Sequence, residues 1–279
     1  MIYLILTSLI WSLSFGLIKK QLTGFDPYLI AGLRLGFSFL VFLPFMRRIP
    51  SADAARMAAI GAIQFGLMYC LYIASYAWLS ASQIALLTIT TPIFVVAWDR
   101  MFHRRHRTGF WAASLLAAVA AAVLLWKETS WQGALRGVLL LQGANALFAL
   151  GQIMYKKYAP SGSPKGHFGY LYLGSMAAPL AFLIGRQSMP NLPTEIETWL
   201  ALLYLGVVAS GIGFFLWNQG VRKVSNGVVA VMNNLKIPLG ALVAWALFGE
   251  ALHLGRWVVS AVIFSLSLLW LRKGARSRR

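Results

Sequence analysis

Charge is what this sequence has least of, and negative charge least of all. Charged residues make up 11% of the 279 positions, and only 7 of them are Asp or Glu. A water-soluble chain carries roughly 25% charged residues to cover its surface, so a solvated globular domain is excluded. The single cysteine, Cys70, rules out an internal disulfide; it lies in an apolar run and is read as a packing residue. There is no phosphate-cradling glycine loop, no serine–histidine–acid set and no pair of neighbouring carboxylates. Those absences argue against an enzyme and call for no cofactor. His103, His106, His167 and His253 lie in loops or at the ends of apolar runs, and His103 and His106 are separated by arginines with no third ligand. No metal site is expected. The first apolar stretch, from Ile2, has neither a basic leader nor a small-residue cleavage site, so it reads as a membrane helix rather than a cleaved signal.

What is abundant is apolar surface: 59% of residues are hydrophobic, with 11 Trp and 10 Tyr suited to the headgroup belts. A bilayer core needs about 20 mostly apolar residues per helix. Ten runs qualify, at about 2–18, 28–46, 57–78, 82–98, 109–126, 134–155, 168–185, 199–218, 226–248 and 254–271. They are joined by short turns such as Gly24-Phe25-Asp26-Pro27 and Ser161-Gly162-Ser163-Pro164. The net charge of +18 is scattered as short basic groups at span ends, not gathered on one face, which argues against a nucleic-acid partner. With a cytoplasmic N-terminus, 17 Lys and Arg fall on the cytoplasmic side and 6 on the other. By the positive-inside rule both termini are then cytoplasmic.

Residues 80–125 match 226–271 at a fixed offset of 146: Pro92 with Pro238, Phe102 with Phe248, Gly109 with Gly255, Trp111 with Trp257 and Ser114 with Ser260. These are the fourth and fifth spans against the ninth and tenth. A five-helix unit crosses the membrane an odd number of times, so its second copy is inverted, the arrangement that supports alternating access. The expected fold is therefore all-α, ten transmembrane helices as two inverted five-helix repeats, residues 1–130 and 131–279. Pro92 and Pro238 each remove a helical hydrogen bond and loosen the carbonyl at Thr88 or Asn234, as kinks or gating points.

The chain resembles the ten-helix EamA-type branch of the drug/metabolite transporter superfamily over essentially its whole length. Trp11-Ser12-Leu13-Ser14-Phe15 followed by Lys19 looks like the family's Trp-x-x-x-Phe-x-x-x-Lys opening, and Arg34 matches its usual arginine in the second span. Leu235-Lys236-Ile237-Pro238 followed by Leu247-Phe248-Gly249-Glu250 is similar to the family's proline helix. Two departures are Phe102-His103-Arg104 in place of a Gly-Glu pair, and Lys236 where an acidic or small residue is common. The resemblance implies a secondary transporter of small metabolites, often amino acids, in a bacterial-type inner membrane.

Lys236, near the middle of the ninth span, is the sharpest candidate. An ammonium at that depth costs a few kcal/mol unless it meets water or a partner. It either faces a cavity and meets an anionic substrate group or is a neutral amine held by Asn233 or a carbonyl. Asn233, Lys236 and Gly240 share one helical face. Asn145 and Gln152, with Gln142 and Lys156, stripe the sixth span, either as substrate ligands or as interhelical glue. Tyr69, Tyr72 and Tyr76 on the third span and Trp11 on the first form a candidate polar-aromatic wall, with packing as the alternative. Arg34 is read as a structural residue that snorkels. Asp99 and Glu250 lie at span ends, which favours facilitated exchange over proton coupling. The expected function is transport of small polar metabolites, amino acids or other carboxylates favoured, by a monomer or homodimer. Export of lipophilic or cationic drugs, or a membrane-embedded lipid-modifying enzyme, are the alternatives.

Overall fold

The computed structural model describes residues 1–103, 134–186, 190–248 and 254–276, with isolated positions at 112, 115, 116, 118 and 119. The described elements are helices, with no β-strand among them. Six are long and apolar enough to cross a bilayer alone: α1 (Ile2–Leu22), α2 (Pro27–Phe45), α3 (Ser51–Ser75), α6 (Leu135–Tyr158), α7 (Pro164–Ile184) and α8 (Ile196–Arg222). Between and after them run α4 (Ala81–Thr88), α5 (Thr91–His103), α9 (Asn226–Met232), α10 (Lys236–Phe248) and α11 (Leu254–Arg276). The chain is an all-helical, polytopic membrane protein.

Local chemistry fixes the turns. Gly24, at φ 108°, reverses the chain after α1. Asp26 then caps α2, its Oδ1 accepting from the backbone N–H groups of Tyr28 and Leu29 at 2.9 Å, with Pro27 in the first turn where no donor is needed. Its other carboxylate oxygen pairs with Arg186. Gly162, at φ 100°, and Pro164 make the equivalent turn into α7.

Two glycines set the closest helix contact. A Cβ on Gly61 of α3 would run into the backbone carbonyl of Leu171, and one on Gly174 of α7 into that of Ala58. Small residues at such positions let membrane helices approach to backbone contact. A π turn in α8, Tyr204–Ile212, offers carbonyl oxygens to neighbours. Ser38 donates to Gly206 at 2.7 Å, Trp11 to Ala209 at 2.9 Å and Tyr172 to Ser210 at 2.6 Å. These bonds tie α2, α1 and α7 to one helix.

The expected fourth and ninth spans are not continuous kinked helices. Each is broken in two, at Ile89–Thr90 and at Asn233–Leu235. Pro92 and Pro238 lie in the first turns of the second halves, α5 and α10, where a missing N–H costs little. The carbonyls expected to be freed are occupied: Thr91 Oγ1 donates to Thr88 O at 2.7 Å, and the Ile237 N–H to Asn234 O at 3.1 Å. The expected face of Asn233, Lys236 and Gly240 is interrupted by the second break. The third and eighth spans begin earlier than expected, at Ser51 and Ile196. Apart from the isolated positions between 112 and 119, the expected fifth span lies outside the described residues, as do the Arg104–Arg107 group and Gly249-Glu250.

Candidate functional site

Polar residues on a membrane helix are buried together or lead into water, and here several of them gather around one cavity. From α1 come Trp11, Ser14, Phe15 and Ile18; from α2, Arg34; from α3, Met68, Tyr69 and Tyr72. Ala144, Asn145 and Phe148 come from α6, and Phe214 from α8. Thr88 ends α4, Thr91 begins α5 and Lys236 begins α10, so both helix breaks open on the cavity. A half-helix N-terminus presents positive potential there. No carboxylate lines the cavity among the described residues.

The contributions from α1, α2 and α3 come from the halves nearest the α1–α2 loop and the chain after α3. The cavity therefore occupies that half of the bundle. In the opposite half α5 packs against α9. There Asn226 Nδ2 donates to Asp99 Oδ1 at 2.5 Å, and Lys156 Nζ donates to Asn226 Oδ1 at 2.7 Å and Val224 O at 2.5 Å. This chain of bonds joins α5, α6 and α9 on the side away from the cavity.

Two cations face the cavity. Lys236 is 9% exposed; its ammonium lies 5.6 Å from the Trp11 ring centre and has no hydrogen-bond partner among the described residues. Arg34, 1% exposed, does not snorkel. Its Nη2 donates to Tyr69 Oη at 2.9 Å and Ser210 Oγ at 3.1 Å, and its guanidinium carbon sits 4.4 Å from the Tyr69 ring centre. Nε and Nη1 are buried without partners. Between the cations runs an aromatic strip: Tyr69 to Phe214 at 5.8 Å, Phe214 to Trp11 at 4.9 Å, with Phe148 edge-on to Trp11 at 5.8 Å.

The other candidates divide by place. Asn145 is at the cavity, but its amide also donates to Leu87 O at 3.0 Å, so it braces the first break as well. Tyr72 lines the cavity and is hydrogen-bonded to Tyr76, at 3.0 Å, which sits behind it. Asn233 and Gln152 do not line it. Asn233 donates back to Val229 O at 3.1 Å, and Gln152 accepts from Trp217 Nε1 at 2.9 Å. Sequence reasoning missed Ser210, Phe214 and Thr91, marked Thr88 only through its carbonyl, and gave Arg34 a structural role. Arg34 carried the same signal as Lys236, a charge inside an apolar run. The small and apolar residues carried none.

The model of the EamA-like transporter family matches residues 1–127 and 135–272. The chain is 35% identical to the biotin transporter of Escherichia coli strain K12, over 98% of this chain and 93% of that protein. It is 35% identical to a probable biotin transporter of Pseudomonas aeruginosa, over 99% of each. A solved crystal structure covering 100% of this chain and 98% of its own superposes with a TM-score of 0.79 at 16% identity, a likeness of fold. The chain is an integral membrane protein that belongs to the EamA-like transporter family.

Proposed function

We propose that the protein carries a small carboxylate metabolite of the biotin type across a bacterial inner membrane by alternating access. The observation that supports this most directly is a cavity holding two cations, aromatic walls and no carboxylate among its described residues. An unpaired cation at membrane depth is costly; a bound carboxylate removes the cost at Lys236, and a cationic drug meets repulsion there. The names of the 35% identical relatives support a biotin-like solute.

Two five-helix units, residues 1–130 and 131–279, are inverted relative to one another, giving ten spans with both termini cytoplasmic. The interrupted fourth and ninth spans, broken at matching places in the repeat, hold the site where the units meet. With that orientation the cavity faces outward, and the Asp99–Asn226–Lys156 bonds close the cytoplasmic side. Rocking of the units breaks those bonds as the cavity closes. Binding tests the reading: purified protein in nanodiscs retains labelled biotin and releases it to unlabelled biotin, and not to tetraalkylammonium cations. Displacement by the cations alone contradicts it.

A further inference from the structure

Arg34 presents a chemical problem that Lys236 does not solve. Its guanidinium is buried in a membrane protein with no carboxylate lining the surrounding cavity among the described residues. Tyr69 and Ser210 accept from a single nitrogen, leaving Nε and Nη1 with three N–H groups unpartnered. Buried donors without partners are costly, and a site built to bond a substrate oxygen rejects analogues that lack it.

The two cations sit in different surroundings. Among the described residues Lys236 meets the Trp11 face, and it begins a half-helix whose dipole favours a full negative charge. Arg34 already shares its charge with the Tyr69 ring and with two hydroxyl oxygens. Tyr69, Phe214 and Trp11 form a continuous strip from one to the other. The lining thus runs polar, apolar, polar, and it is complementary to a solute of the same order.

We infer that Arg34 is the second recognition pole of the cavity, donating to an uncharged carbonyl-type oxygen at one end of a solute whose carboxylate, at the other end, meets Lys236. The inference rests on the carboxylate reading above and adds the head-group class: a urea or amide carbonyl joined to the carboxylate by an apolar segment that lies along the aromatic strip. Tyr69 and Ser210 hold the guanidinium in place by spending one nitrogen and leaving the others for the solute.

The test is competition against labelled biotin with two analogues altered at opposite ends. Biotin carboxamide lacks the carboxylate; 2-iminobiotin replaces the head carbonyl by an imino group that is protonated at neutral pH, so that it donates instead of accepting and carries positive charge toward Arg34. In the wild type each competes at least about tenfold more weakly than biotin. Arg34→Met brings 2-iminobiotin to within about threefold of biotin and preserves the penalty for the carboxamide; Lys236→Met does the reverse. Each comparison is a ratio within one preparation, so a reduced folded fraction does not affect it. Arg34→Gln, closer in shape, serves where Arg34→Met is not recovered folded. If Arg34→Met removes the carboxamide penalty instead, or alters neither ratio, Arg34 is not the carbonyl pole and the carboxylate reading stands. If the wild type binds no biotin, both fall.

Discussion

The side-chain amide of Asn234 donates to the backbone carbonyl of Ile89 at 3.3 Å, joining the breaks of the two interrupted spans. Each break leaves backbone groups without helical partners at membrane depth, where every polar group needs one. Here one break supplies the donor and the other the acceptor. The same junction places Thr88, Thr91 and Lys236 on the cavity. Both interruptions border the cavity.

Asn234→Leu removes that bond and keeps the bulk. A membrane hydrogen bond contributes about 0.6–2 kcal/mol, so the melting temperature falls by a few degrees and the variant still folds. Turnover falls more than binding, since the junction positions both half-helices. Thermal unfolding and exchange rates measured together check this; wild-type turnover counts against it.

Asn226 bridges Asp99 and Lys156 on the side away from the cavity. Asn226→Leu breaks both bonds and shifts the population toward opening on that side. In a background with Cys70→Ala, a cysteine at the buried Val229 position reports the opening. Labelling by a water-soluble maleimide rises about fivefold for ~1 kcal/mol of lost closure. Unchanged labelling shows that these bonds do not hold the gate.

Gly61 of α3 meets the backbone of α7, which cannot move aside as a side chain does. Gly61→Val forces the helices apart and costs about 1–3 kcal/mol or prevents folding. Gly36→Ala is the control, because nothing lies within 4 Å of a Cβ there. Yield and monodispersity after detergent extraction separate the two; equal behaviour would show that the close approach is not needed.

Much of the scaffold was legible because membrane insertion writes it in composition. Apolar length marks the spans, and Gly24-Phe25-Asp26-Pro27 marks a turn; the cap that Asp26 makes on α2 is visible only in the structure. The breaks were only half legible. Pro92 and Pro238 located them, but a proline does not say whether a helix bends or stops; the bond between Asn234 and Ile89 depends on tertiary approach. Lys236 stood out as a charge in an apolar run, and Arg34 stood out equally. Its nearness to a span end made snorkelling the simpler reading, and only the packing of Tyr69 and Ser210 around it shows the burial. Asn233 and Gln152 hold positions that look like a cavity stripe, and their side chains turn to Val229 and Trp217.

The most direct test of the central claim is counterflow in proteoliposomes, with biotin, amino acids and organic cations outside and the wild type beside Lys236→Met. Lys236→Met keeps the bulk and removes the charge. The expected result is exchange of biotin by the wild type and a loss of about 10- to 100-fold in the folded variant, as for a lost charge-assisted bond of ~1.5–3 kcal/mol. Exchange of cations alone, or undiminished biotin exchange by Lys236→Met, would contradict a cavity built to meet a carboxylate.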